Sequence, residues 1–255
     1  MQIEVLGSSG GETPECRLTS LLINDTLALD AGCLTRALSI ERQASIEAVL
    51  LTHSHIDHLQ SLPFFIENVY HLKDRPFEIW ASAATIDAVR RHMFNNAVWP
   101  DFSRLPSEVL PALRFHELEA GRPVELAGLK ATPFPVSHPV PTFGFLFEQE
   151  GTGVIWSSDT GPTEELWRIA NRTPGLAAVC LDTSFANELQ GVADLSMHLT
   201  PRTLDRELDK LTAEVPVLLH HLKPLCRESI LAEVAALGRS GLDYLEQGRT
   251  YHFGR

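Results

Sequence analysis

The sequence predicts a layered α/β fold, with β-sheets inside and helices outside. The chain has 255 residues, of which 44% are hydrophobic, so it is long enough to bury a substantial core. Strand-like and helix-like segments alternate along its whole length, which is typical of layered α/β proteins. Neither a repeat of fixed period nor a low-complexity tract divides the sequence. We therefore expect a single domain over residues 1–255.

The strands are predicted where short apolar runs lie between Gly, Pro, Asn and Asp residues. They are Ile3–Leu6, Ser20–Ile23, Leu27–Leu29, Glu47–Thr52, Phe77–Ala81, Phe143–Glu148, Gly153–Ser158, Ala177–Asp182 and Val215–His220. The second and third of these are joined by Asn24-Asp25-Thr26, which predicts a hairpin.

The helices are predicted where good helix formers carry apolar residues at helical spacing. They are Ala83–Met93, Glu164–Ile169, Arg202–Leu211 and Arg227–Leu237. The proline-containing stretch Asn95–Arg122 is predicted to be an irregular excursion within the domain rather than a linker.

Composition argues against several classes of protein. Lys and Arg number 21 against 33 Asp and Glu, which gives a net charge of -12, and the sequence lacks a basic cluster that could hold a nucleic acid backbone. The four cysteines are far apart and form no CxxC pair, which argues against a disulfide scaffold or a cysteine zinc ribbon. The sequence has no signal peptide and no apolar run of about 18 residues. We expect a cytoplasmic protein that binds no membrane, and the oligomeric state stays open, with a homodimer as one candidate.

The most informative motif is Thr52-His53-Ser54-His55-Ile56-Asp57-His58, at the carboxyl end of an apolar predicted strand. Its three imidazoles and one carboxylate can turn together toward a cation. Imidazole nitrogen and carboxylate oxygen are ligands for transition metals such as zinc, manganese and iron. The alternative, a polar loop that is rich in histidine by chance, does not account for the HxHxDH spacing at a strand end. The motif therefore predicts a metal site.

Further ligands are predicted at three later strand ends, where His138, Asp159 and His221 each follow an apolar run. Taken alone, each would be an ordinary polar loop residue. Together with the motif they complete a site for two divalent cations about 3.5 to 4 Å apart. The predicted ligands are His53, His55 and His138 for one cation, Asp57, His58 and His221 for the other, and Asp159 as a bridge between both.

The order HxHxDH, His, Asp, His resembles the metallo-β-lactamase fold superfamily, and the resemblance extends over residues 1 to 224. It implies an α/β (α+β) fold of the αββα sandwich type, with a dinuclear metal site at one sheet edge. It does not fix the substrate, because one fold serves many reactions.

Shorter segments resemble the class II cyclic-nucleotide phosphodiesterases. The run 53–62 is similar to their HxHLDH signature, with Ile56 in place of the usual Leu. Other similar segments follow in the expected order, at 94–101, 181–185, 198–201 and 221–224. The resemblance implies hydrolysis of a small 3′,5′-cyclic nucleotide, such as cyclic AMP or cyclic GMP, to the 5′-nucleotide. The implied cofactors are two divalent metal ions, with zinc first and manganese or iron as alternatives.

Two divalent cations would neutralise the phosphoryl oxygens and lower the pKa of a bridging water to about 7, so that hydroxide is available for attack. Asp57 is a candidate catalytic residue that orients this water. His198 resembles, by position, the histidine credited as general acid in the RNA-processing branch of the superfamily. It is the candidate donor of a proton to the leaving 3′-alkoxide. Alternatively, His198 contacts phosphate or lies at the helix near Pro201, with Thr200 as its cap.

Several other residues lie beside these motifs. Asp30 in Asp-Ala-Gly resembles a residue that orients a metal-binding histidine. The run 8–11, Ser-Ser-Gly-Gly, is predicted to be a plain hairpin turn, with a border of the pocket as the alternative. The candidates for stacking on a purine are Trp99, Phe102 and Phe185, although core packing is the commoner fate of such residues.

The remaining histidines receive structural interpretations. His220 and His221 are neighbours on a strand, so their side chains point to opposite faces and only one of the pair is expected to reach metal. The others expected to be structural or solvated are His71, His92, His116 and His252.

Three alternative functions stay open. An RNA 3′-end endonuclease of the tRNase Z type is supported by His198-Leu199-Thr200, but a basic arm that could hold tRNA is lacking. A thioesterase of the same superfamily is also compatible with the ligands. A non-catalytic metal sensor is disfavoured, because the ligand set is complete.

Overall fold

Two β-sheets stacked face to face form the interior of the protein. The computed structural model describes residues 1–107 and 109–254, and within them each sheet has seven strands. The first sheet has the spatial order β14-β1-β2-β3-β4-β5-β6, with β1 Gln2–Gly7, β2 Ser20–Ile23, β3 Leu27–Leu29, β4 Ala48–Leu50, β5 Phe77–Ala81, β6 Leu113–Glu117 and β14 Thr250–His252. The second has the order β13-β12-β11-β10-β9-β8-β7, with β7 Val124–Leu126, β8 Leu129–Pro135, β9 Phe143–Gln149, β10 Thr152–Trp156, β11 Leu176–Asp182, β12 Val217–His220 and β13 Leu242–Tyr244.

Turn chemistry and crossovers set the strand directions. β2 and β3 form the predicted hairpin, and its turn residues Asn24 and Asp25 have φ values of 48° and 60°, a left-handed conformation that Asn and Asp tolerate. From β3 to β6, and again from β10 to β13, neighbouring strands are parallel. β8 points the same way as β10, because both pair antiparallel with β9. The carboxyl ends of β8, β10, β11 and β12 therefore lie at one edge of the second sheet.

Helices cover the outer faces of the two sheets. Those within the described residues are α1 Leu34–Ala37, α2 Ile40–Ser45, α3 Leu62–Val69, α4 Ala83–His92, α5 Glu165–Ala170, α6 Gln190–Ser196, α7 Pro201–Leu208 and α8 Arg227–Ala236. The four predicted helices correspond to α4, α5, α7 and α8. The Thr200 hydroxyl accepts from the Thr203 backbone N–H in a capping box, which confirms Thr200 as the cap of α7. None of the described helices is long and apolar enough to cross a bilayer.

Three apolar layers hold these elements together. Buried residues such as Val49 and Phe65 pack between the first sheet and α1 to α4. Leu29 and Phe145 belong to the layer between the two sheets, and Trp167 belongs to the layer under the helices of the second sheet. Each fully buried side chain of this size contributes about 1.5–3 kcal/mol. The order helix, sheet, sheet, helix confirms the predicted αββα sandwich.

The stretch Asn95–Arg122 is more regular than predicted. It contains β6, which pairs in parallel with β5 from Phe77↔Leu113 to Ala81↔Glu117. Helix α3 was not predicted at all, although Pro63 lies in its first turn, where the missing N–H of proline is not needed. The part of the stretch before β6 has neither helix nor strand among the described residues, so the irregular structure predicted there is confirmed up to residue 112.

Candidate metal centre

The predicted ligands come together where strands end. His53 follows β4 by three residues, His138 follows β8, Asp159 follows β10, and His221 comes directly after β12. Ile56–His58 of the HxHxDH motif form a 3₁₀ turn, which brings the last two ligands of the motif back toward the first.

The backbone turns into the left-handed conformation just after three strands near the site, and these turns orient the side chains there. Asp30, Ser158 and His221 follow β3, β10 and β12 and have φ values of 58°, 56° and 64°. This conformation costs a non-glycine residue about 1–2 kcal/mol, so the surrounding contacts must hold it.

The first ligand group consists of His53, His55, His138 and Asp159, one ligand atom of each lying within 4.8 Å of the others. His138 Nε2 is 3.1 Å from His55 Nδ1, and His53 Nε2 is 3.7 Å from Asp159 Oδ2. His53 and Asp159 are buried, whereas His55 and His138 are half-buried and face the opening.

The second ligand group consists of Asp57, His58, Asp159 and His221, again with the ligand atoms within 4.8 Å of one another. Asp159 Oδ2 lies 3.3 Å from both His58 Nε2 and His221 Nε2. His221 Nε2 is also 3.3 Å from Asp57 Oδ2. Asp159 therefore belongs to both groups, and the structure brings together all seven residues predicted as ligands.

Unpartnered polar atoms show that these residues fit metal ions. His53 Nε2, His58 Nε2 and Asp159 Oδ1 are buried and make no hydrogen bond within the described residues. Leaving such groups unsatisfied is costly, and each of them is a potential metal ligand. Imidazole and carboxylate in sets of four suit a divalent transition metal.

A buried carboxylate, Asp30, supports the histidines from behind. Its Oδ2 lies 2.7 Å from His58 Nδ1, and its Oδ1 accepts from the Thr52 backbone N–H at 2.8 Å. The Thr52 hydroxyl is in turn 2.9 Å from His53 Nδ1. This arrangement fixes the ring orientation of both histidines, as expected for Asp30.

A third cluster, made of Asp182, His198 and His221, has the spacing of a metal site, but hydrogen bonds account for it. His198 Nδ1 lies 2.7 Å from Asp182 Oδ2, and the Ser184 hydroxyl donates to Asp182 Oδ1 at 2.5 Å. His198 therefore forms a dyad with a buried carboxylate beside the second ligand group, its ring stacked 5.3 Å from that of His221.

Burial and neighbouring charges shift the pKa values of the site. Burial lowers the pKa of His53 well below its usual value and that of His138 to about 4, so both imidazoles are neutral and can offer a lone pair. Burial acts in the same direction on His58, but the carboxylates of Asp159 and Asp30 outweigh it and raise its pKa well above the usual value. A proton and a metal ion compete for such a nitrogen.

The carboxylates of the site stay ionised. Burial would raise the pKa of Asp159, but His221 and His58 outweigh it and hold that pKa well below its usual value. The pKa of Asp57 is likewise lowered, against the effect of burial, by His221 and His58. In His198, the charge of Asp182 outweighs burial and raises the pKa.

The neighbours of the predicted site residues were predicted with mixed success. The His220 ring stacks on Trp156 at 3.8 Å in the core, and His220 belongs to neither ligand group. Its neighbour His221 belongs to the second ligand group, as expected from strand alternation. Phe102 is buried in the core, which was expected to be the commoner fate of these aromatic residues, and it is no longer a candidate for stacking on a base. Trp99 is half-buried against Phe64.

The loop 8–11 borders the site and is not a plain hairpin turn, contrary to prediction. The Ser8 carbonyl accepts from the His221 backbone N–H at 2.7 Å. A Cβ at Gly10 would lie 2.7 Å from His221 Nδ1, so only glycine allows this close approach. Phe185 lies near the site, because its ring is 5.7 Å from the ring of His198. Lys223 Nζ lies 5.9 Å from the centre of the Phe185 ring.

Sequence reasoning missed the roles of Asp182 and Ser184, although it noted their segment. Both lie at or just beyond the end of β11, between the strand ends that supply Asp159 and His221. An acidic residue and a hydroxyl at the end of a central parallel strand were the available signal.

The αββα sandwich and the two ligand groups define a protein of the metallo-β-lactamase fold. Residues 22–221 match the model of the β-lactamase superfamily domain, so the chain belongs to that family.

Similar proteins within and around this family include phosphodiesterases and ribonucleases. The chain is 28% identical to a probable 3′,5′-cyclic-nucleotide phosphodiesterase of Yersinia pestis, over 99% of this chain and 89% of the relative. It is 24% identical to Ribonuclease Z of Mycobacterium bovis, over 75% of this chain and 73% of the relative. Among solved structures, unliganded yeast PDE1 superposes with a TM-score of 0.81 at 18% identity and covers 98% of each chain. Human tRNase Z, short form, has a TM-score of 0.72 at 15% identity and covers 100% of each chain. At these identities the structural matches show the fold alone.

Proposed function

We propose that this protein is a metal-dependent phosphodiesterase that hydrolyses 3′,5′-cyclic nucleotides to 5′-nucleotides. The observation that carries the proposal is the pair of ligand groups that share Asp159, set beside the Asp182–His198 dyad. The similarity to the probable cyclic-nucleotide phosphodiesterase extends over nearly the whole chain and supports this substrate class.

The proposed ligands are those of the two groups. His53, His55 and His138 would hold one ion, and Asp57, His58 and His221 would hold the other. Asp159 would be shared between both. Two divalent ions, zinc first with manganese or iron as alternatives, supply Lewis acidity and lower the pKa of water.

The chain itself orients the substrate and moves the proton. His198 Nδ1–H donates to Asp182, so Nε2 is the atom that donates to the leaving 3′-oxygen. The carboxylate of Asp182 outweighs burial and raises the pKa of His198, which favours the protonated form of the ring. Asp57, whose side chain is 23% exposed, is the group proposed to orient the attacking water. Phe185 and Trp99 remain candidates for contact with the base.

The experiment is a substrate panel with controlled metal content. Purified protein is stripped with a chelator, reloaded with zinc, manganese or iron, and assayed on cyclic AMP, cyclic GMP, bis-p-nitrophenyl phosphate and a precursor tRNA. We expect turnover of cyclic nucleotides that is lost on chelation and restored by metal.

The His198→Ala variant tests the proton donor. It should keep two metal ions and lose about 100-fold or more in turnover. His116→Ala, which removes a histidine outside both ligand groups, is the matched control.

An RNA 3′-end endonuclease is the second candidate. The similarity to Ribonuclease Z of Mycobacterium bovis favours it. The net charge of -12 argues against it, because grip on an RNA backbone needs clustered Lys and Arg. Cleavage of the precursor tRNA without turnover of cyclic nucleotides would select this candidate and overturn the first.

A further inference from the structure

The Ser184 hydroxyl is a point of contact between the second ligand group and the Asp182–His198 dyad. Its Oγ lies 2.5 Å from Asp182 Oδ1, 2.9 Å from His221 Nδ1 and 3.1 Å from His198 Nδ1. All four side chains are buried, and Ser184 is 0% exposed. The polar atoms of this cluster must therefore form their hydrogen bonds with one another rather than with bulk water.

A hydroxyl has one proton to donate, and the neighbours decide where it points. Asp182 Oδ2 already accepts from His198 Nδ1 at 2.7 Å and from the Thr160 backbone N–H at 3.0 Å, so Asp182 acts as a carboxylate acceptor. The Ser184 hydroxyl donates its hydrogen bond to Asp182 Oδ1 at 2.5 Å, because two oxygens without a proton between them would repel each other at this distance.

The Ser184 oxygen then has only lone pairs left for His221. A hydrogen bond across the 2.9 Å gap requires that His221 Nδ1 carry the proton. His221 Nε2 is then bare, and it faces Asp57 Oδ2 and Asp159 Oδ2 at 3.3 Å each. A bare Nε2 is the form of imidazole that binds a metal ion.

We propose that Ser184 is a positioning residue that fixes the Nδ1–H tautomer of His221 and so presents Nε2 to the cation of the second ligand group. Ser184 can do this because Asp182 orients its hydroxyl. The dyad that holds His198 thus also determines which nitrogen of His221 is free. This inference rests on the ligand role of His221 in the proposed function.

The inference differs from the role of Asp30 at His58. Asp30 is a charged acceptor that contacts His58 Nδ1 directly at 2.7 Å. Ser184 is neutral and can donate or accept, so it selects one tautomer only through its bond to Asp182. Removal of the Ser184 hydroxyl leaves the Nδ1–H of His221 without that acceptor.

The test compares Ser184→Ala with Ser184→Thr, which keeps a hydroxyl, and with Thr183→Val. The Thr183 hydroxyl is also buried but donates to the Asp182 backbone carbonyl and hydrogen-bonds to no imidazole in the described part of the chain, so it is the matched control. Zinc-loaded full-length proteins are titrated with a competing chelator, and circular dichroism checks their folding. We expect Ser184→Ala to bind one of its two zinc ions about 10–100-fold more weakly. Ser184→Thr and Thr183→Val should bind as the wild type does.

A second measurement reports on the tautomer itself. In the zinc-loaded wild-type protein labelled with ¹⁵N-histidine, the Nδ1–H of His221 should give a slowly exchanging proton signal, assigned by its loss in His221→Gln. The signal should exchange rapidly in Ser184→Ala and persist in Thr183→Val. Unchanged zinc affinity and proton exchange in Ser184→Ala would overturn the inference, as would a folded Ser184→Thr that behaves like Ser184→Ala.

These measurements separate this inference from the proposed substrate. A wild-type protein that binds two zinc ions but leaves cyclic nucleotides intact would refute the substrate and leave the role of Ser184 standing. A wild-type protein that retains neither zinc nor manganese nor iron would refute both.

Discussion

The two ligand groups share Asp159 but differ in what lies behind their histidines. In the first group, His53 Nδ1 contacts the Thr52 hydroxyl and His138 Nδ1 contacts the Met197 carbonyl, at 2.9 and 3.2 Å. In the second group, the buried carboxylate of Asp30 lies 2.7 Å from His58 Nδ1. Carboxylates behind a histidine raise its basicity and fix its orientation more strongly than neutral partners do.

Charge and burial reinforce this difference. The second group contains Asp57 in addition to Asp159, whereas Asp159 is the only carboxylate of the first. His58 and His221 are fully buried, whereas in the first group His53 is fully buried and His55 and His138 are only half-buried. We infer that the second group binds its cation more tightly, and the following predictions test this comparison.

The largest effect is expected from Asp159→Asn, which removes the one carboxylate common to both groups. Even partners that only support a ligand contribute about 10–100-fold to metal affinity, so the loss of a shared ligand should exceed about 100-fold for both ions. Elemental analysis after dialysis, together with turnover, measures it. Asp74→Asn, at an exposed position, is the control. Retention of both ions by Asp159→Asn would contradict the shared role.

Next in size is the contrast between His138→Ala and His58→Ala. His138→Ala should keep about one ion per chain, because the second group is intact, and His58→Ala should lose the tighter ion. Chelator titration of each variant gives the two affinities. Equal losses in the two variants would show that the groups do not differ.

A smaller effect is expected from Asp30→Asn, which leaves the ligands in place but removes the charge behind His58. Metal affinity should fall about 10–100-fold, chiefly for the second group. Asp25→Asn is a close control, since Asp25 and Asp30 have φ values of 60° and 58° and Asn tolerates this conformation. An affinity equal to that of the wild type would rule out support by Asp30.

With metal at saturating concentration, the smallest effect at neutral pH is expected from Asp182→Asn. The Asp182 charge raises the pKa of His198, so its removal lowers that pKa and the acid is lost at lower pH. The alkaline limb of the kcat profile should therefore move to lower pH. A His198→Gln variant should lack this limb. An unmoved limb in Asp182→Asn would mean that another group sets it.

Much of the site could be predicted from the sequence because the ligands come in a short motif and at strand ends. The HxHxDH spacing places four candidates within six residues, and His138, Asp159 and His221 each follow an apolar strand. The layer order followed from the resemblance and from alternating elements. Core packing was expected for most of Trp99, Phe102 and Phe185, but periodicity does not say which of them packs there, and the structure places Phe102 in the core.

The supporting contacts were harder to predict because they depend on distant parts of the chain. Ser184 and His221 are 37 residues apart, and the loop at Gly10 contacts His221 from the other end of the sequence. Helix α3 was missed, although its one proline, Pro63, lies in the first turn, where a helix tolerates proline.

The left-handed turns at Asp30, Ser158 and His221 have a consequence for protein engineering. A designer who grafts HxHxDH and the three later ligands onto another scaffold transfers the side chains but not these backbone bends. On ordinary extended strand ends the same side chains would point in different directions. Restoring their orientation would require about 1–2 kcal/mol of added stability per bend. Backbone shape should therefore be transplanted before the side chains.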